Sequence, residues 1–368
     1  MLMKKVSITV YFTFTVLLFL TIILLFGVAC ENGAVEDGTI TLTFSLPETI
    51  EDLDSASPEV IPFVNIEGTG TLTIEGGAPT EYNLTFKSIY IPFDAMGPLA
   101  ESPYHAQRVL LTITGTRDGS GLFDRITDLT FERQAFALED IEDPIPEFDS
   151  ESREYRKELI EATWDENGLR KMVNSSGDPP EIQSTTEYDY QNGSLYAYRE
   201  AEGNGDYFSN GFHFIYGTPA PFQQLPSEIR EYLAIPEDPS IPPLYPYERN
   251  PNFYELIEIF GYRYTADAGG RIGEFITQYG GPAMDMAIAA EVSLEDDERY
   301  VFSYDDEGRI SAIDYYVFDL YMMGWVYLLR TDVTYSDGMP GIPFEELFIG
   351  PWGRGIFPFM MGPVAIAM

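Results

Sequence analysis

The chain has almost no cysteine: Cys30 stands alone among 368 residues. An internal disulfide is therefore excluded, and so is a cysteine-based zinc site. Histidine is nearly as scarce. His105 and His213 are the whole supply, and they are too far apart in sequence to sit at helix-ligand spacing. No Gly-x-Ser-x-Gly elbow occurs, and no glycine-rich loop leads into Lys-Ser or Lys-Thr. That removes the usual signals of a nucleophilic hydrolase and of a phosphate-binding loop. Positive charge is short as well. Lysine and arginine number 21 against 60 aspartates and glutamates, for a formal net charge of −39. A chain this acidic repels phosphate backbones, so nucleic acid is excluded as a partner. The acids are spread along the chain, which reads as a solvated acidic shell suited to a saline medium. Cation binding is the alternative.

What is abundant is apolar and aromatic. Hydrophobic residues make up 45% of the chain, including 25 Phe and 25 Tyr. That is enough for a substantial core without disulfides. The apolar residues begin with a block. Lys4 and Lys5 precede a long, uncharged and mainly apolar run from Val6 to Val28, ending at Ala29-Cys30. A basic head before an apolar body is the layout of an export signal. The run also reaches the ~20 residues that a membrane-spanning helix needs. Either reading places the residues from about 35 onward outside the cytoplasmic membrane.

Gly27-Val28-Ala29-Cys30 resembles the lipobox of bacterial lipoproteins, in which small residues precede a cysteine that is acylated and becomes the mature N-terminus. The resemblance implies lipidation at Cys30, a lipid anchor in the inner or outer membrane, and a body facing the periplasm or the exterior. Residues 1–29 are then signal peptide or membrane anchor, and residues 30–38 a tether.

The body reads as strands. Thr39–Leu46, Gly68–Glu75, Tyr82–Ile91 and Val109–Gly115 alternate apolar and polar residues, with turn residues between them. Residues 39–148 are predicted to form an antiparallel β-sandwich or open barrel. An acidic, proline-containing stretch at 138–152 reads as a linker or a surface loop. Residues 149–368 are predicted to be a β-hairpin-rich sheet with one or two short helices, at Ser227–Leu233 and Gly281–Glu291. A proline-rich insertion occupies 219–251. The apolar tail Ile356–Met368 reads as a final strand.

A loose repeat runs through the second region: Trp164-Asp-Glu-Asn-Gly168, Tyr188-Asp-Tyr-Gln-Asn192-Gly193, Tyr264-Thr-Ala-Asp-Ala-Gly-Gly270-Arg271 and Tyr304-Asp-Asp-Glu-Gly308-Arg309. Each places an aromatic residue, polar turn residues and a glycine before a new strand, as a hairpin requires. The pattern is similar to the tyrosine–aspartate repeats of bacterial surface and toxin-shell proteins, and to uncharacterised hairpin-rich bacterial lipoproteins.

No catalytic residue can be assigned from these patterns. Calcium, which takes carboxylate and carbonyl oxygens, has weak candidate ligands in Asp305, Asp306 and Glu307. Trp164 beside a turn and Trp352 in a Gly-Pro loop are the candidate ligand-contact residues, whereas Trp325 reads as core. The expectation is a membrane-anchored envelope lipoprotein with a structural or binding role, its partner an envelope protein or a glycan. The alternative is an exported glycan hydrolase working through paired carboxylates.

Overall fold

The structure is a computed structural model, and it describes residues 37–46, 63–75, 78–90, 104–117, 123–140, 142–150, 153–165, 168–191, 194–203, 208–223, 225–234, 254–280, 295–319 and 324–339. The strands are β1 (Gly38–Ser45), β2 (Phe63–Glu75), β3 (Ala78–Tyr90), β4 (Tyr104–Arg117), β5 (Phe123–Leu138), β6 (Glu154–Asp165), β7 (Gly168–Ser176) and β8 (Glu181–Gln191). They continue with β9 (Ser194–Glu202), β10 (Phe208–Ile215), β11 (Glu228–Ala234), β12 (Tyr254–Ala266), β13 (Ile272–Gly280), β14 (Glu295–Tyr304), β15 (Ile310–Asp319) and β16 (Gly324–Tyr335). Each strand neighbours the next in sequence, and β16 returns to pair with β1, so the hydrogen-bonding order is a closed barrel of 16 strands. The closing ladder is antiparallel and regular, running from Ile40 opposite Tyr335 to Ser45 opposite Arg330.

The chain divides into two compact units. One is built from residues up to Lys157 and from Phe302 onward, the other from Glu158–Val301. In the first unit the alternation seen in the sequence sorts residues between two faces. Ile40, Leu42 and Phe44 of β1, Tyr82, Leu84 and Phe86 of β3, and Val109, Leu111 and Ile113 of β4 are buried on one face. Large side chains such as these contribute roughly 1.5–3 kcal/mol each on burial. The other face is polar. Thr43, Thr69 and Thr85 lie across one another, and Glu67, Lys87 and Arg108 form a second row. Arg330 ion-pairs there with Asp314 and Asp332 at 3.0 and 2.9 Å.

Gly68 lets the buried face close. It stands between Phe44 and Phe86 in register. A Cβ at this position would meet the Phe86 Cβ at 2.4 Å and the Thr85 carbonyl oxygen at 2.8 Å. Both are fixed by the ladder, so Gly68→Ala is expected to lower stability by about 1–3 kcal/mol. A lower urea midpoint with an unchanged slope would show it.

Within the predicted linker at 138–152, residues 145–149 are bound as a strap to the first unit. Arg108, 8% exposed, donates from Nε to the Pro146 carbonyl at 3.0 Å and from Nη2 to the Ile145 carbonyl at 3.1 Å. Gln134 Oε1 accepts from the Asp149 amide at 2.7 Å. Ile145 packs with Tyr104 and Phe136 on a small cluster of Ile89, Ala106 and Leu138.

Several expectations are corrected. The sandwich or open barrel followed by a separate hairpin sheet is replaced by one closed order of strands, because β16 satisfies the free edge of β1. No helix occurs among the described residues. Ser227–Leu233, read as a helix, is the strand β11, since β10 and β12 hydrogen-bond it from both sides. Non-local ladders outweigh the weak helix propensity of seven residues. His105, read as a loop residue, lies in β4. The second proposed helix, Gly281–Glu291, and the tail from Ile356 fall outside the described residues.

The lipoprotein resemblance and the lipid-anchor partner are corrected too. The body is neither a tyrosine–aspartate repeat array nor a hairpin sheet needing a tether. It is a closed antiparallel barrel, the one β architecture that can meet a membrane with its own strands. Membrane contact therefore has a route that needs no acyl chain, and Cys30 lies outside the described residues.

Candidate functional site

The second unit carries the densest chemistry, and β9 shows why. Its sequence Ser-Leu-Tyr-Ala-Tyr-Arg-Glu-Ala-Glu sets Tyr196, Tyr198 and Glu200 at two-residue spacing. In the β8–β9 ladder Tyr198 lies opposite Tyr188, and Glu200 opposite Thr186. On the other side Tyr198 faces Phe212 and Glu200 faces Asn210. The rings join across strands. Tyr198 stacks on Phe212 at 4.4 Å between centroids and tilts against Tyr188 and Phe214, each at 5.8 Å. Further along, Phe275 stacks with Tyr262, Tyr264 and Tyr300 at 5.7, 5.2 and 5.6 Å. Cross-strand aromatic pairs of this kind each add roughly 0.5–1.5 kcal/mol beyond area burial.

Carboxyl groups are set among these rings. Glu200 is 9% exposed and Glu231 only 1%. Glu231 stands opposite Phe212 on one side and Glu258 on the other. Glu258 accepts a hydrogen bond from the Tyr279 hydroxyl at 2.9 Å, and Glu298 accepts one from Tyr300 at 2.5 Å. Glu200 Oε1 is enclosed and meets no donor. Burial pushes the Glu200 carboxyl up to about 8, because a charge removed from water is costly unless paired. Burial also raises the Tyr198 hydroxyl well above its ordinary value, and repulsion from Glu200 and Glu231 adds to the effect.

The described arginines of this unit pair with other carboxylates. Among the described residues Arg170 pairs with Asp189 at 3.0 Å, Arg199 with Glu187 at 2.5 Å and Arg230 with Glu228 at 2.5 Å. Arg263 pairs with Asp296 at 2.7 Å, Arg271 with Asp267 at 2.8 Å, and Arg299 with Glu274. Lys171 stands across the ladder from Glu187. None of these pairings reaches Glu200.

The residues singled out from sequence have other surroundings. Asp305 builds its own turn: Oδ1 accepts the Glu307 and Arg309 amides at 3.0 and 2.8 Å, and Oδ2 accepts Arg309 Nε at 2.7 Å. Glu307 also pairs with Arg309, at 3.0 Å. Desolvation acts to raise the Asp305 carboxyl, but the hydrogen bonds and charge of Arg309, with the Glu307 amide, together outweigh it and hold the group below its ordinary value. Asp267 repeats the arrangement, accepting from Gly269, the Arg271 amide and Arg271 Nε at 2.8, 2.8 and 2.9 Å. The repeat read from sequence is thus, in these two copies, an arginine-clamped turn, with Gly270 and Gly308 at φ 81° and 83°. Gly308→Ala is expected to cost about 1 kcal/mol, as an L-residue forced into left-handed backbone does, and thermal melts would show it.

Trp164 is half-buried at the end of β6, opposite Leu169. Trp325, read as core, is half-buried in β16 and sits edge-on to Phe318 at 5.2 Å. Trp352 lies outside the described residues. His213 is edge-on to Tyr196 at 4.5 Å. Among the described residues no group of three or more His, Cys, Asp or Glu side chains is placed to hold a metal ion. Sequence reasoning missed Glu200 and Glu231. The usable signal was parity: in Tyr196-Ala-Tyr198-Arg-Glu200 and Ile229-Arg-Glu231 an acid occupies an apolar phase of the strand.

No family model and no curated protein matches this chain. Among solved structures, it is similar to a porin-like protein from Bacteroides uniformis, with 12% identity and a TM-score of 0.30 over 83% of this chain and 98% of the other. It is similar to a β-barrel-like protein with a domain of unknown function from Brucella abortus, at 9% identity and TM-score 0.27 over 82% and 98%. A protein of unknown function from Bacteroides fragilis matches at 8% identity and TM-score 0.21, over 50% of this chain and 94% of that one. Likenesses this distant leave function to the residues themselves.

Proposed function

We propose that this chain is an exported, membrane-associated β-barrel protein that works by binding rather than catalysis, with its described strands in water and the apolar run Val6–Val28 holding it to the bilayer. The observation that carries this reading is the direction of the alternation. In the first unit the buried face is apolar, while the opposite face carries Thr43, Thr85, Lys87, Asp314, Arg330 and Asp332. A barrel wall set in lipid has the reverse pattern, apolar outward. The rival reading, strands that cross the membrane themselves, is favoured by closure of the strand order. It would place Lys87 and Arg330 against hydrocarbon at about 2–4 kcal/mol each near the midplane. Glycan hydrolysis fits less well. A sugar ring must sit between two carboxyls, and Glu200 and Glu231 are nine-tenths or more buried.

The test uses the full chain in native membranes with a specific protease site inserted at residues 31–36. Cleavage is expected to release the barrel into the aqueous fraction without detergent. A barrel that stays with the membrane after complete cleavage would overturn the reading in favour of membrane-crossing strands.

A further inference from the structure

We propose that the second unit takes up a primary ammonium group, with the Glu200 carboxylate as acceptor and the stacked Tyr198 and Phe212 rings as wall. The proposal rests on the binding reading above and names its ligand class. Three observations carry it. Glu200 is 9% exposed, and its Oε1 is enclosed without a donor; a carboxylate left in that state is costly and calls for a cation. Each described arginine of the unit has a carboxylate partner other than Glu200. Tyr198 stands two residues before Glu200 on the same strand, hence on the same face, and stacks at 4.4 Å on Phe212 of the adjoining strand β10; aromatic faces attract organic cations within about 6 Å.

The chemistry selects among cations. A calcium ion needs six or more oxygens, and the described residues hold no group of metal-type side chains. A pyranose is too broad for carboxyls this buried. An ammonium at the tip of an alkyl chain is slim, brings three donors, and leaves its methylenes against rings. Tyr188 from β8 and Tyr198 from β9 face the Glu200 carboxyl, and Glu231 from β11 and Tyr262 from β12 face Tyr198 in turn. Burial raises the hydroxyls of Tyr188, Tyr198 and Tyr262, so they stay neutral through the working range. Below the pH at which Glu200 ionises, uptake of an ammonium ion therefore expels the proton of the Glu200 carboxyl to solvent, leaving an ammonium–carboxylate pair.

The test is calorimetric titration of the detergent-solubilised full chain with n-hexylamine, with 1-hexanol as the neutral isostere. Salt at about 150 mM screens diffuse attraction to the acidic surface, and two buffers of different ionisation heat report proton release. Hexylamine is expected to bind with release of up to one proton near pH 7, and none near pH 9. Hexanol is expected not to bind. Glu200→Gln, checked for folding by thermal melt, is expected to lose about tenfold or more in affinity and all proton release. Tyr198→Leu, which keeps the carboxyl, is expected to weaken binding and retain the release. Equal uptake of hexanol would overturn the ammonium proposal and leave the binding reading standing. Binding unchanged in Glu200→Gln, displacement of hexylamine by equimolar calcium chloride, or no heat from hexylamine would each overturn the proposal too.

Discussion

Glu200→Gln is expected to melt at a higher temperature than the native chain at pH 8.5, by several degrees, with the gain shrinking toward zero as the pH is lowered to about 4.5. Burial lifts this carboxyl from its ordinary 4.5 to about 8. In an acid whose folded value is raised, the folded state holds a proton that the unfolded state has released. Below about 4.5 both states are protonated and the group is neutral in its effect. Between the two values stability falls as pH rises, by ~1.4 kcal/mol per pH unit. Above about 8 the full cost remains, roughly 4–5 kcal/mol in the absence of a compensating cation. Glutamine keeps the shape and removes the ionisation. Circular dichroism melts of both proteins across that range would check it. Parallel pH profiles for the two proteins would show that Glu200 titrates as an ordinary surface acid.

Arg108→Met is expected to cost roughly 3–5 kcal/mol, while Glu147→Gln costs less than about 0.5 kcal/mol. The geometry separates the two halves of this ion pair. Arg108 is buried and binds the carbonyls of Ile145 and Pro146, whereas the Glu147 side chain is 86% exposed and its 3.0 Å contact is open to water. Hydrogen bonds from a charged donor to carbonyls contribute about 1.5–3 kcal/mol each, and methionine supplies none. Amide exchange at residues 142–150 should rise sharply in Arg108→Met and stay protected in Glu147→Gln. Equal losses in both variants would mean that the strap is held by the ion pair and not by its backbone.

The same strap shows where local reading stops. Residues 138–152 are acidic and contain two prolines, the composition of a linker. Nothing within the segment says that Arg108, some forty positions earlier, lies on a neighbouring strand to receive its carbonyls. The edges behave alike. Alternation in Thr39–Leu46 identified β1, but the partner that closes it, β16, lies almost three hundred residues away and is chosen by register rather than by composition. Ser227–Leu233 carries a helix-compatible pattern with Pro226 before it, and only the ladders of β10 and β12 draw it into a strand.

The sequence by itself determined the β class and the burial phase of most strands. Each of these follows from spacing of two residues or from composition, which are local quantities. It also contained the paired turns at Asp267 and Asp305, because an aspartate four residues before an arginine with glycine between them can close on itself. Tertiary structure alone decided that sixteen strands close into one order, that the strap belongs to the first unit, and that the Glu200 carboxyl is enclosed beside the Tyr188 and Tyr198 rings. Those outcomes depend on which distant strands pair, and pairing is settled by summed non-local hydrogen bonds and burial.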